Sequence, residues 1–256
     1  MKISIITVVF NARDTIEDCV RSVLGQSHPD LEYIVVDGGS TDGTVEIIRR
    51  HQARLAAFVS EPDSGIYDAM NKGIKLATGY IIGLLNADDI YQNEKVISTV
   101  AEEFASRNVD AVFGDLVYVD SHDPGRIVRY YRSADFHVNK FASGWMPAHP
   151  TFFVKRVMYE RYGLFKTDYK IAADYELLVR FLYKNNVSYS YIPKVLVRMR
   201  TGGISTKGVG SNWILNREIV KACNENGIKT NMLKVLAKYP RKIFELIRKP
   251  SQQALS

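Results

Sequence analysis

The chain has 256 residues, 46% hydrophobic and 24% charged, with 34 basic against 28 acidic side chains and a formal charge of +6. That balance supplies ample material for a core and excludes disordered, collagen-like and disulfide-scaffold chains. Only two cysteines occur, Cys19 and Cys223, far apart and without metal-type spacing, so a reducing compartment and no zinc site are expected.

The first predicted element is residues 3–10, an apolar β-branched run that reads as a strand buried on both faces. Ser4 and Thr7 interrupt it and no small-x-small cleavage site follows, so a strand is expected here and not a signal peptide. Ile16, Cys19, Val20, Val23 and Leu24 then recur at helical spacing, between a capping Thr15 and Gly25. A second strand over 32–37, a helix over 45–55 and a short strand over 58–60 follow. Ile66, Ala69, Met70, Gly73, Ile74 and Ala77 spell another helix, ending at Gly79, and residues 80–85 return to strand. No apolar run approaches the roughly 18–20 residues that span a bilayer.

Four strand–helix units predict an α/β fold with a mainly parallel, Rossmann-like sheet flanked by helices. Right-handed crossovers place the carboxyl ends of those strands along one edge. Beyond Asp110 the pattern changes: residues 112–119 and 127–131 flank a Ser121-His122-Asp123-Pro124-Gly125 turn cluster and predict a small antiparallel hairpin. Helices are expected over 155–162, 174–184 and 212–226.

Asn226-Gly227 divides a body of residues 1–228, itself split into halves 1–110 and 111–228, from a helical extension over 229–256. Seven basic residues between Lys229 and Lys249, against Glu245, carry the whole net charge. The body is therefore neutral, which argues against a nucleic-acid-reading surface. In the extension Met232, Leu233, Val235, Leu236, Tyr239, Ile243, Phe244 and Ile247 follow helical spacing with bases interleaved, as in a peripheral membrane anchor. A helix packed on the body would show the same stripe.

Each early strand ends in polar residues: Asn11, then Asp37-Gly38-Gly39-Ser40-Thr41-Asp42-Gly43, then Glu61-Pro62-Asp63-Ser64-Gly65, then Asn86-Ala87-Asp88-Asp89. Open α/β sheets bind ligands at that edge. Turn formation alone explains Asp42 and Gly43. Two adjacent carboxylates repel unless a cation offsets them, so Asp88 and Asp89 suggest Mg²⁺ or Mn²⁺. The Gly-Gly-Ser loop has neither the G-x-G-x-x-G spacing nor a P-loop lysine, which weighs against hydride transfer and ATPase chemistry.

Taken together, Ile5-Ile6-Thr7-Val8-Val9-Phe10-Asn11, Val35-Val36-Asp37-Gly38-Gly39-Ser40, Asp63-Ser64-Gly65-Ile66-Tyr67-Asp68-Ala69-Met70-Asn71 and Leu85-Asn86-Ala87-Asp88-Asp89 resemble a family 2 glycosyltransferase of the GT-A fold. The resemblance covers about the first 200 residues. It implies an inverting hexosyl transfer from a nucleotide-sugar, most often a UDP-sugar, to a saccharide or lipid-linked saccharide in polysaccharide synthesis. The setting it implies is the cytoplasm, at the inner face of the membrane.

In that family Asp37 would meet the nucleobase, Asp63 would lie beside the base or ribose, and the backbone of Thr7 and Val8 would line the pocket. The metal motif falls on Asn86-Ala87-Asp88, departing from Asp-x-Asp at its first acid. Asp88 inherits the Mn²⁺ or Mg²⁺ ligand role, with Asp89 as a second candidate and Asn86 as a ribose or metal contact. His149, in Pro147-Ala148-His149-Pro150, is a candidate contact to acceptor or phosphate.

Asp174-Tyr175-Glu176 resembles the family's acidic motif, and spacing separates its two acids. Asp174 precedes Leu177, Leu178, Phe181 and Leu182 at helical intervals and points over the apolar face, whereas Glu176 faces Arg180 at i+4. Asp174 is the candidate general base, with helix capping as the competing role. Two other classes stay open: a sugar nucleotidyltransferase, disfavoured by the absence of a basic glycine-rich loop near Asn11, and a non-catalytic carbohydrate- or nucleotide-binding module. The module would need neither Asp88 nor Asp174.

Overall fold

A computed structural model describes residues 1–121, 123–202, 209–237, 250 and 252–255. Nine strands among them form one sheet: β1 (Ile3–Val9), β2 (Leu31–Asp37), β3 (Ala57–Ser60), β4 (Ile81–Leu84), β5 (Asp89–Tyr91), β6 (Ala111–Val119), β7 (Ile127–Tyr131), β8 (Phe153–Lys155) and β9 (Tyr189–Arg200). Their order is β3-β2-β1-β4-β8-β6-β9-β5, with β7 on the side of β6. The first four strands are parallel, as expected. The predicted hairpin is β6 and β7.

The antiparallel share exceeds that hairpin. β8 lies between β4 and β6 and runs against both, and β5 runs against β9. β5 and β8 have three residues each, too few to show a periodicity. In β9, Pro193 breaks the alternation where the pairing with β6 slips around Gly114.

The α-helices among the described residues are α1 (Ile16–Leu24), α2 (Thr44–Arg49), α3 (Ile66–Leu76), α4 (Val96–Ser106), α5 (Arg156–Tyr162), α6 (Ala173–Leu178), α7 (Val209–Glu225), α8 (Met232–Leu236) and α9 (Gln252–Leu255). Three expectations are corrected. Thr15 takes the N-cap position of α1 but makes no side-chain cap; its hydroxyl donates to the Ala12 carbonyl at 3.4 Å. The helix expected over 45–55 stops at Arg49, with one 3₁₀ turn at Gln52–Arg54, because Ile48 is the one apolar side chain it buries. The helix expected over 174–184 passes from α into a π turn at Val179–Lys184, where Asn185 donates its backbone N–H and its side-chain amide to the Arg180 carbonyl. α4 was not anticipated, although Val96, Ile97, Val100 and Phe104 bury one helical face.

Period-2 alternation in β1 and β2 sorts the core into two layers. Ile3, Ile5, Val9, Tyr33 and Val35 pack with α1, α2 and α4, while Ile6, Val8, Ile34 and Val36 pack with α3, α6 and α7. α3 approaches β1 so closely that a Cβ on Gly73 would lie 2.3 Å from a methyl of Ile6. That close approach sets where the loop preceding α3 meets the sheet edge.

Both described ends of the 229–256 extension pack on the body. Val235 is buried with Tyr175 and Ala222, and the Thr230 hydroxyl donates to the Ala142 carbonyl. Ala254 is buried, and the Leu255 carbonyl accepts from Gln92 at 3.1 Å. Tyr239, Ile243, Phe244 and Ile247 of the expected amphipathic stripe lie outside the described residues. Among the described residues no helix is long and apolar enough to cross a membrane.

Candidate active site

Because β1, β2 and β4 are parallel, the loops that follow them meet along one edge. β4 pairs with β1 only as far as Ile6 opposite Leu84, so the backbone of Thr7 and Val8 runs past it at that edge. The Thr7 side chain is buried and accepts from the Tyr33 hydroxyl at 3.0 Å, which leaves its main chain as the group at that edge. One residue beyond β1, Phe10 is 64% exposed, an aromatic ring outside the expected set. Its signal in the sequence was a single aromatic closing an aliphatic strand.

The loop after β2 is folded around Asp37, which is fully buried. Its carboxylate accepts from the N–H groups of Gly39 and Ser40, each at 3.1 Å, and from the hydroxyls of Ser40 and Ser60. Asn11, held at φ 48°, staples this loop to the one after β1: its side chain accepts from the Thr41 N–H at 2.9 Å, and its own N–H donates to the Ser40 hydroxyl at 2.8 Å. Asp63 is brought alongside. One of its oxygens accepts from the Gly65 N–H at 2.8 Å, and the other lies 2.5 Å from where a Cβ on Gly38 would stand. Lys72 pairs with Glu61 at 2.8 Å below the same loop.

The chain leaves β4 through Asn86, Ala87 and Asp88 into β5. Asp88 is half-buried, and burial raises its pKa above the ordinary carboxylate value. Asp89 is fully buried, and burial together with the neighbouring Asp88 charge raises its pKa further. One Asp89 oxygen accepts from the Asn86 amide at 3.4 Å; the other has no hydrogen-bond partner among the described residues. Arg200, at the end of β9, donates to the Asp88 carbonyl at 3.2 Å and to the Asp18 carboxylate at 2.6 Å. Its charge favours ionisation of both acids. Sequence reasoning missed Arg200 because β9 itself was not foreseen.

Among the described residues no three His, Cys, Asp or Glu side chains gather into a metal-holding group. A divalent cation at Asp88 would therefore draw on diphosphate oxygens as well, the usual arrangement for Mg²⁺-like ions. Two adjacent carboxyl groups, one with an unpartnered oxygen, form a hard oxygen donor set that fits such an ion, whose charge would favour their ionised forms.

Asp174 opens α6 in the second half of the chain. It is half-buried, its Oδ1 accepts from the Tyr175 N–H at 2.8 Å, and desolvation, with a smaller push from the Glu218 charge, raises its pKa to about 6. It is not the N-cap, a position held by Ala172. The hydroxyl of Tyr67, in the first turn of α3, donates to the Ile171 carbonyl, so the Asp63 loop and the Asp174 turn are tied through one helix. Tyr67 stacks on Phe165 at 5.8 Å, and His149 meets the same ring edge-on at 5.6 Å. His149 is buried, which lowers its pKa to about 4 and makes it a neutral imidazole at pH 7.

Glu176 is a different group altogether. Fully buried, it pairs with Arg180 at 2.9 Å and Lys166 at 3.2 Å and accepts from Asn226 at 3.2 Å. The expected pairing of Glu176 with Arg180 is present, but the expected contrast is corrected: Glu176 is the fully buried acid, covered by Arg180, Lys166 and Asn226, and Asp174 is only half-buried. Trp145 is enclosed in an aromatic cluster, stacked on Tyr131 and Phe136 with Lys140 over its ring.

Residues 4–171 match the family model for glycosyl transferase family 2. The chain is 27% identical over 223 residues to a PGL/p-HBAD biosynthesis glycosyltransferase of Mycobacterium bovis (strain BCG / Pasteur 1173P2), over 85% of this chain and 82% of that protein. Its fold is similar to that of residues 1–349 of S. aureus TarS crystallised with UDP-GlcNAc: TM-score 0.71 at 20% identity, over 95% of this chain and 73% of that one. It spans 44% of the longer TarS chain. A second likeness is to the mannosyltransferase PcManGT of Pyrobaculum calidifontis, in complex with GDP-Man and Mn²⁺: TM-score 0.62 at 22% identity, over 92% of this chain and 68% of that one. With four parallel strands feeding one polar edge and a family match across most of the body, this chain belongs to glycosyl transferase family 2 and is a glycosyltransferase of the GT-A fold.

Proposed function

We propose that the enzyme moves a hexose or N-acetylhexosamine from a UDP-sugar to a hydroxyl of a saccharide or lipid-linked saccharide, with inversion, forming a β-glycosidic bond in cell-surface polysaccharide synthesis. The observation that carries this reading is Asp174, a half-buried carboxylate with its pKa raised to about 6, tied through Tyr67 to the Asp63 loop. A base of that pKa is largely ionised at pH 7 yet basic enough to take a hydroxyl proton as it is released. TarS, similar in fold, was crystallised with UDP-GlcNAc, which supports a uridine donor.

In this reading the backbone of Thr7 and Val8, the Phe10 ring, the loop shaped by Asp37, and Asp63 enclose the nucleotide. Asn86 meets the ribose, and neutral His149 lies on the acceptor or phosphate side. Asp88, with Asp89 behind it, would hold Mn²⁺ or Mg²⁺, which when bound supplies positive charge to offset the diphosphate. Asp174 orients the acceptor hydroxyl and receives its proton as the oxygen bonds to the anomeric carbon and the bond from that carbon to the diphosphate breaks. The test is turnover across a panel of nucleotide-sugars with Mn²⁺, read as nucleotide release. Release from UDP-sugars is expected; binding without turnover of any donor would favour the non-catalytic module.

Gly38→Ala isolates the donor side. A Cβ there displaces the Asp63 carboxylate while leaving the core untouched. UDP affinity is expected to fall about tenfold, the worth of one charge-assisted hydrogen bond, with little change in melting temperature. Calorimetry showing wild-type affinity would take Asp63 out of the nucleotide site.

The extension over 229–256 is read as a peripheral contact to the cytoplasmic face of an anionic membrane. Leu233 is 80% exposed, and Leu236, Lys229 and Lys234 are exposed near it. Both cysteines are free, in keeping with a reducing compartment. Deleting residues 229–256 is expected to weaken sedimentation with anionic liposomes, most at low salt. Binding that persists unchanged and is insensitive to salt would count against the anchor.

A further inference from the structure

The carboxylate of Glu218, on α7, accepts from three consecutive backbone N–H groups: Lys170 at 2.7 Å, Ile171 at 2.9 Å and Ala172 at 2.9 Å. These residues form the turn immediately before α6. From the other side, Tyr67 of α3 donates its hydroxyl to the Ile171 carbonyl. The turn is thus gripped through both its N–H and its C=O groups by two helices, one of which begins at the donor-side loop. Asp174 follows two residues later. The N-cap residue of α6, Ala172, has no side-chain acceptor of its own, and its N–H is held instead by Glu218, so the start of the helix leans on this grip.

We propose that Glu218 is a positioning residue for the general base, fixing from α7 the turn on which Asp174 is carried and so its place relative to the donor loop. The proposal rests on the reading of Asp174 as the base. Geometry carries it: a carboxylate with three main-chain N–H groups is oriented rigidly, and those bonds are charge-assisted. The electrostatics agree. Among the described residues the titratable groups that face Asp174 are Glu218 from α7 and Tyr67 from α3, and the Glu218 charge adds to burial in raising the Asp174 pKa. One side chain therefore both places the base and sharpens its basicity.

The test is Glu218→Gln in the whole 256-residue chain, with Glu218→Ala as the second variant. Asp174 is followed by carboxyl ¹³C NMR, assigned through Asp174→Asn, the amides of residues 170–172 by hydrogen exchange, and the fold by UDP affinity. In Glu218→Gln, UDP affinity should stay at the wild-type value, the three amides should exchange about tenfold faster or more, and Asp174 should titrate at lower pH than in wild type. With a donor that turns over, kcat should fall about 10–100-fold at constant donor KM, the loss associated with misplacing a catalytic group.

Wild-type exchange and titration in a variant that binds UDP normally would overturn the proposal. So would loss of UDP binding in both variants, which would make Glu218 a determinant of the fold at large. Wild-type transfer by Asp174→Asn would remove the base itself, and the proposal with it. Loss of transfer in Asp174→Asn beside an unaltered Glu218→Gln would remove only the positioning role.

Discussion

Asp174→Asn is expected to slow sugar transfer by about 10²–10⁴-fold, the usual contribution of a positioned general base, while donor KM and melting temperature stay near wild type. The acceptor hydroxyl is a weak nucleophile at neutral pH, so its proton must have somewhere to go as the new bond forms. Asparagine keeps the size of the side chain and an oxygen for the Tyr175 N–H, but it cannot take that proton. Donor binding is assigned to other residues, so the loss should fall on kcat.

The wild-type pH profile carries the same signature. With its pKa raised to about 6, Asp174 is protonated and inactive below that pH, so the rate should fall as pH drops through about 6. Glu176→Gln is the matched control. It removes the charge from a fully buried group paired with Arg180 and Lys166, leaving those cations short of a partner, so it should cost roughly 3–5 kcal/mol of stability. If Glu176→Gln lost transfer while folded and Asp174→Asn did not, the two acids would have to exchange roles.

Asp88→Ala is expected to lower transfer by about 10³-fold or more and to abolish any Mn²⁺-dependent gain in UDP affinity, because charge stabilisation of the departing diphosphate is worth several kcal/mol. The fold should not suffer. Asp88 is only half-buried, and its charge works against ionisation of the fully buried Asp89, so removing it relieves a repulsion. Melting temperature should hold or rise slightly. Calorimetry of UDP with and without Mn²⁺, beside the rate assay, checks both parts. Wild-type activity in the variant, or in the wild type under excess chelator, would withdraw the metal from Asp88.

The parallel half of the fold was legible residue by residue, because strands buried on both faces and helices with one apolar stripe write their periods directly into the chain. β1, β2 and α1 fell within a residue or two of their expected limits. The same alternation, with the polar strand ends, was enough to place Asp37, Asp63 and Asp88 along one edge. The i+4 spacing paired Glu176 with Arg180, but only the fold made Glu176 the more deeply buried of the two acids. What the tertiary structure alone decided lies in the second half, where β5 and β8 are too short for a pattern and β9 is broken by Pro193. Their places are set by neighbours distant in sequence. Arg200 beside Asp88, Tyr67 and Glu218 around the Asp174 turn, and the burial of His149 and Asp37 all follow from those long-range pairings, which no local spacing encodes. Local periodicity fixes which face of an element is apolar; only the packing of elements fixes which charges meet and how much water reaches them.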